Sequence, residues 1–228
     1  MSDKLYPIFE EFGELVKKRL AVLSGRDTSE DDLRFLFCLA CTQNGVDAND
    51  IMLEKKDVVA LSARAELDAL IRRNEKTPCL ALEFKYHKCE GKDGTRKPQD
   101  CWAGKLLYDF YRLQNLNGED GGAFAGERLS VYAASAEMRE EYTAMPQYWH
   151  IGALLGVKEG ESLTVRSFEP REIPNDLEFW ARTKGFGGWK ADKRADIEAA
   201  QGFAKAEVKC RYSRDLADKT ALRIFEIV

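Results

Sequence analysis

The chain has 228 residues, 44% of them hydrophobic and 32% charged, with a formal net charge of −4. This length is sufficient for one substantial hydrophobic core. No apolar run approaches the roughly 20 residues of a membrane helix, and the N-terminus lacks the apolar stretch of a signal peptide. We therefore expect a cytoplasmic protein without a membrane partner. The mild net acidity argues against polyanion binding by the surface as a whole.

Two helices are predicted at the start of the chain. Apolar side chains recur with helical spacing over residues 6–23, and Ser24-Gly25-Arg26 ends that helix. Thr28 and Ser29 precede three acids and are typical of a helix start, so a second helix is predicted from there to about Gln43. Its interior is apolar nearly all round, which predicts a central position.

Glu30 is in the first turn of this second helix. The three- and four-residue spacing places it on the same face as Leu33 and Phe37, which aims its carboxylate inward. An acid that only complements the helix dipole is the alternative.

Three strands are predicted next, over residues 51–56, 64–73 and 78–87. A short turn joins the second to the third, so the two read as an antiparallel hairpin. Glu83 and Lys85 project from one face of the third strand, and apolar side chains project from the other. A carboxylate and an ammonium at the end of an apolar strand are costly to place without a function. With Asp68 they form a group suited to binding a hard divalent cation and a phosphate.

The remaining elements predict a single α/β domain over residues 1–228. A helix over 103–116 is followed by a strand over 128–134, which we expect to pair parallel to the third strand. Further on, the patterns indicate a helix over 137–144, an ambiguous segment over 147–155, and strands over 163–168, 206–212 and 220–228.

This order of elements resembles the PD-(D/E)XK, or restriction-endonuclease-like, nuclease superfamily. The residues that carry the resemblance are Glu30, Asp68 in Ala-Glu-Leu-Asp-Ala-Leu-Ile, and Glu83 and Lys85 in Ala-Leu-Glu-Phe-Lys. The helix over 103–116 is similar to the fourth motif of the superfamily. The resemblance covers residues 28–135. It implies a mixed central sheet flanked by helices, with residues 136–228 adding C-terminal strands and a helix.

The resemblance also implies a chemistry. Asp68 and Glu83 would bind Mg²⁺, for which Mn²⁺ can substitute, and Lys85 would orient water or stabilise developing negative charge. Glu30 would join as a further acid. Glu66 lies on the same strand face as Asp68, so either acid can be the ligand. We prefer Asp68 because an apolar run follows it directly, as in the superfamily.

Nucleic acid, with DNA as the expected substrate, is the partner implied. Basic residues between positions 85 and 112, among them Lys88, Lys105 and Arg112, fit a local phosphate-binding face. A second basic stretch over 180–214 interleaves aromatic rings and includes Lys190, Lys193 and Arg194. For both stretches an ordinary solvated, salt-bridged face is the alternative, with Lys105 pairing Asp109.

Two alternatives to a nuclease stay open on the sequence alone. The first is a nuclease-like module that binds nucleic acid or a protein partner without cleaving it, which the mild acidity favours. The second is a buried Glu83–Lys85 ion pair that only organises the sheet.

Overall fold

The structure is a computed structural model. It describes residues 4–23, 27–56, 66–72, 79–88, 106, 109–110, 112–116, 124–144, 149–165, 206–216 and 218–228. Within these residues four α-helices have defined bounds, α1 (Tyr6–Val22), α2 (Glu30–Gln43), α3 (Ala136–Ala144) and α4 (Trp149–Gly156), and a short 3-10 helix spans Ala48–Asp50. Residues 106, 109–110 and 112–114 are also helical, and we call them the Asp109 segment.

Seven strands form one mixed sheet in the order β1-β2-β3-β4-β7-β6-β5. The pair β3–β4 is parallel and every other neighbouring pair is antiparallel. The predicted hairpin and the predicted parallel pairing are therefore both confirmed. The strands are β1 (Ile51–Lys56), β2 (Glu66–Ile71), β3 (Leu80–His87), β4 (Glu127–Ala134), β5 (Ser162–Val165), β6 (Ala206–Asp215) and β7 (Ala221–Ile227).

Helices cover both faces of this sheet, which makes the fold α/β. Apolar residues of α1 and α2 pack on one face with Leu82, Phe84 and Tyr86 of β3. The Asp109 segment, α3 and α4 pack on the other face. Since alternate residues of a strand point to opposite faces, Glu83 and Lys85 lie on the face opposite Leu82, Phe84 and Tyr86, as the sequence predicted, and there they face the Asp109 segment.

The start of α2 agrees with its sequence signals. Ser29 is the N-cap residue, and it forms a reciprocal capping box with Asp32. The helix is less central than predicted, however. Phe35 is 65% exposed, because the buried face of α2 follows the stripe of Leu33, Leu36 and Phe37. An apolar residue outside that stripe meets solvent.

The C-terminal third extends the same sheet. The ambiguous segment is helical as α4, and β6 and β7 match their predicted positions, with β6 running on to Asp215. Strand β5 ends at Val165, and the rest of its predicted range lies outside the described residues. No helix among the described residues is both long enough and apolar enough to cross a membrane.

The close approach of β3 and β4 yields a first prediction. A Cβ at Gly126 would lie 2.4 Å from the main-chain oxygen of Cys79, whose carbonyl accepts the Glu127 amide at 2.9 Å. Because main chain cannot move aside cheaply, Gly126→Ala should lower the free energy of unfolding by about 1–3 kcal/mol. Urea denaturation measures it. Gly156→Ala is the control, since a Cβ there meets nothing within 4 Å, and an equal loss in both variants would contradict the argument.

Candidate active site

The candidate site lies where β2 and β3 part. Their pairing covers only three residue pairs and ends at Ala69 and Leu82, immediately before Asp68 and Glu83. Beyond that point the side chain of Asp68 takes the place of a main-chain hydrogen bond between the two strands. Its Oδ2 accepts a hydrogen bond from the Phe84 amide at 2.7 Å. The carboxylate of Asp68 is thereby fixed beside Glu83 on β3.

Glu83 is the most deeply placed acid of the group, with a side chain only 2% exposed. The Arg112 guanidinium approaches both of its oxygens, at 3.1 Å to Oε1 and 3.3 Å to Oε2. Arg112 also donates to the main-chain oxygen of Glu66. The Oε1 contact lacks hydrogen-bonding geometry, and within the described residues this oxygen accepts no hydrogen bond.

Lys85 lies between two acids from different elements. Its Nζ is 3.1 Å from Asp109 Oδ2 and 3.5 Å from Glu30 Oε2. The other carboxylate oxygen of Glu30 accepts the amide of Tyr86 at 3.4 Å. Glu30 is therefore aimed inward, toward β3. The ion pairs of Lys85 with Glu30 and Asp109, and of Glu83 with Arg112, replace the simple Glu83–Lys85 pair considered from sequence.

The acids of this group perturb one another. Burial raises the pKa of Glu83 well above its usual range, the Arg112 guanidinium opposes that shift, and Asp68 and Asp109 add to it. Burial likewise raises the pKa of Asp109 and of Glu30, in both cases against the opposing charge of Lys85. Raised carboxyl pKa values in one small region are typical of functional sites.

The pKa of Lys85 moves in the opposite sense from what burial alone predicts. Burial acts to lower it, but the carboxylates of Asp109 and Glu30 outweigh that effect and raise the pKa above its ordinary value. Lys85 is therefore a permanent cation at neutral pH. It is suited to stabilising negative charge and not to accepting a proton.

A second arginine completes the site. Arg34 of α2 donates to Asp68 Oδ1 at 2.9 Å and to Glu54 Oε1 at 3.2 Å. Its side chain is 15% exposed. Asp68 and Glu83 thus each have an arginine counter-ion, contributed by α2 and by the Asp109 segment respectively.

Sequence reasoning missed two members of this group and assigned a third differently. Asp109 entered only as the partner of Lys105 in the alternative of a solvated face, and Arg34 was not singled out. Arg112 was predicted to contact a nucleic-acid backbone, and here it contacts Glu83. One signal was available: Asp109 and Arg112 are three residues apart beside the apolar stripe of this helix, a spacing that makes an acid and a base neighbours on one side of it.

The other predicted nucleic-acid contacts are only partly described. Lys88 donates to the main-chain oxygen of Thr28 at 2.8 Å, which ties the end of β3 to the start of α2. Lys105, Lys190, Lys193 and Arg194 lie outside the described residues, so those predictions stand as they were. Tyr212, one of the interleaved rings, is buried in the core.

Of the two acids on β2, Asp68 accepts a hydrogen bond from the main chain of β3, and its charge raises the pKa of Glu83. Across the described ranges, no three His, Cys, Asp or Glu side chains are grouped so as to hold a metal ion by themselves. A magnesium ion needs less from a protein, since one or two carboxylates suffice when water and substrate phosphate supply the other ligands.

Comparisons of the chain with protein-family models, curated proteins and solved structures find no match. The site is therefore interpreted from its own geometry.

Proposed function

We propose that this protein is a metal-dependent nuclease that hydrolyses phosphodiester bonds of nucleic acid, with DNA as the expected substrate. The observation that carries the proposal is the convergence of Glu30, Asp68, Glu83 and Lys85 at the parting of β2 and β3. These residues come from three elements, α2, β2 and β3, and the sequence alone predicts all four as site residues.

The order of elements supports a restriction-endonuclease-like core as part of the same proposal. Helix α2 precedes the antiparallel strands β1, β2 and β3, the Asp109 segment follows, and β4 pairs parallel to β3. This is the arrangement that the resemblance over residues 28–135 implies.

The donor set fits a hard divalent cation. Asp68 and Glu83 offer carboxylate oxygens, and Glu83 Oε1 is a buried acceptor with no hydrogen bond from the described residues. Mg²⁺ prefers such ligands, and Mn²⁺ accepts the same set. When bound, the cation would supply Lewis acidity and a water of lowered pKa.

The remaining chemistry belongs to side chains of the chain itself. Lys85 is held by Glu30 and Asp109, so its ammonium is fixed in direction and carries its charge at neutral pH. An ammonium placed in this way stabilises the negative charge that develops on a phosphate oxygen during hydrolysis. Burial of the site strengthens that interaction.

A binding module without cleavage is the second candidate, and one observation favours it. Arg34 pairs with Asp68, and Arg112 pairs with Glu83. A network of ion pairs with a purely structural role would contain the same pairs. Such a module would bind nucleic acid, or a protein, through other surfaces.

A cleavage assay on the full chain separates the two candidates. End-labelled single-stranded, duplex, branched and flapped DNA, and the corresponding RNA, would be incubated with Mg²⁺, Mn²⁺ or EDTA. The nuclease proposal expects shorter products with either cation and none in EDTA. Salt-dependent binding without products in either cation would favour the binding module.

A further inference from the structure

Arg34 lies among three carboxylates and divides its two terminal nitrogens between them. Nη2 is 2.9 Å from Asp68 Oδ1, whereas Nη1 is 3.2 Å from Glu54 Oε1 and 3.6 Å from Asp31 Oδ1. Asp68 belongs to the candidate site. Glu54 and Asp31 do not, and their side chains are 67% and 85% exposed.

Glu54 reaches Arg34 from an unusual main-chain conformation. Its φ is 51°, in the left-handed region, although it lies in the middle of β1. The pairs Leu53–Ala69 and Lys55–Leu67 flank it and place it opposite Asp68. A non-glycine residue in this region carries an energetic cost, which persists where function or the surrounding structure demands it.

Among the described residues, the other non-glycine residue with positive φ is Lys219, which lies in the turn between β6 and β7, where such conformations are common. Within the described strands, Glu54 is thus the exception. Its carboxylate and that of Asp68 face the same guanidinium from adjacent strands.

A divalent cation at Asp68 would conflict with Arg34, since two positive charges would then compete for one carboxylate in a partly buried setting. Two other carboxylates can accept hydrogen bonds from the guanidinium, because Glu54 and Asp31 already lie within 4 Å of Nη1. A shift toward solvent would free Asp68 and leave Arg34 paired.

We infer that Arg34 is a positioning residue that exchanges with a cation at Asp68: it pairs with both Asp68 and Glu54 when no divalent cation is present, and with Glu54 but not Asp68 when a cation occupies Asp68. The inference rests on the proposed function, because it assumes that Asp68 binds the cation. It assigns the strained conformation of Glu54 a role, namely to hold the displaced guanidinium beside the site.

The test is a Mn²⁺ titration of the full chain by calorimetry, with four variants. Arg34→Met should bind Mn²⁺ about tenfold more tightly, because a competing unit charge is removed. Glu54→Gln should bind it several-fold more weakly, because the displaced guanidinium loses its acceptor. The double variant Arg34→Met/Glu54→Gln should match Arg34→Met alone. Glu14→Gln, an exposed acid of α1 paired with Lys17, is the control and should not change affinity.

The double variant separates exchange from simple attraction. If Glu54 acts only as a distant negative charge, its replacement weakens Mn²⁺ binding equally with and without Arg34, and the inference is overturned. Unchanged or weaker binding in Arg34→Met overturns it too. Should Arg34→Met fail to fold, Arg34→Gln removes the charge with a smaller change in shape.

Failure of the inference and failure of the proposed function give different results. If Asp68→Asn abolishes Mn²⁺ binding and Arg34→Met leaves it unaltered, the exchange is ruled out but the proposed function is not. If Mn²⁺ affinity depends on Arg34 and Glu54 as expected but no substrate is cleaved, the nuclease function is ruled out and the exchange stands. A wild-type chain that takes up no Mn²⁺ overturns both.

Discussion

Replacement of Lys85 by methionine is expected to reduce metal-dependent cleavage by about 10²–10³-fold, the loss typical when one group that stabilises transition-state charge is removed. The ammonium lies 3.1 Å from Asp109 and 3.5 Å from Glu30, so it is held in one place before substrate arrives. Methionine keeps an unbranched side chain of nearly the same length but lacks the ammonium group. Initial rates on the best substrate, at saturating Mg²⁺, measure the effect.

Two further variants test whether the loss of cleavage is specific to the proposed active site. Lys17→Met removes an exposed ammonium of α1 and should cleave at the wild-type rate. Glu83→Gln should lose activity to a similar extent while keeping the thermal midpoint of unfolding, or raising it slightly, because it removes a buried charge at a functional site, and Arg112 keeps Asp109 at 3.6 Å and the main-chain oxygen of Glu66 as partners. Full activity in both Lys85→Met and Glu83→Gln would rule out the proposed active site.

The sequence predicted the strand hairpin well for a physical reason. Alternation along β3 assigns each side chain to one face of the strand. Pro78, together with the turn predicted directly before it, indicates where the strand begins. With the faces assigned, Glu83 and Lys85 had to point away from Leu82 and Phe84. Antiparallel pairing, which the structure has as Ala69–Leu82, then places an acid of β2 beside them, and the resemblance favours Asp68 over Glu66 for that position.

The partners of these acids could not be predicted in the same way. Asp109 and Arg112 lie on a helical segment that reaches β3 through tertiary packing, and helical spacing gives relative faces but not the rotation of the helix against a sheet. The same limit applies to α2, whose apolar sequence predicted a central helix. Phe35 is exposed there, whereas Arg34, its polar neighbour, is half-buried against Asp68.

The positive φ of Glu54 lies beyond sequence reasoning for another reason. The segment Ile51–Lys56 has the composition of an edge strand, and glutamate has no preference for the left-handed region. Glu54 and Asp68 both contact Arg34, and that arrangement depends on three separate elements, α2, β1 and β2, whose relation local sequence does not give.

Replacement of Arg112 by methionine, which removes its guanidinium, is expected to have the largest effect on the free energy of unfolding. Arg112→Met leaves Glu83 buried without its nearest cation, and breaking a buried pair in this way costs about 3–5 kcal/mol. The free energy of unfolding, from urea denaturation at pH 7.5 in EDTA, should fall by that amount. The double variant Glu83→Gln/Arg112→Met should recover much of it, because the uncompensated charge is gone.

The pH dependence gives the same prediction an independent test. The pKa of Glu83 is raised above its ordinary 4.5 in the folded protein, and loss of Arg112 should raise it further. A carboxyl with a raised folded-state pKa contributes stability that is complete below its unfolded-state value and is lost as pH rises through the folded-state value. The penalty of Arg112→Met should therefore be small near pH 4.5 and grow toward neutral pH. A penalty independent of pH, or one that Glu83→Gln does not relieve, would show that Arg112 stabilises the fold by packing and not by neutralising Glu83.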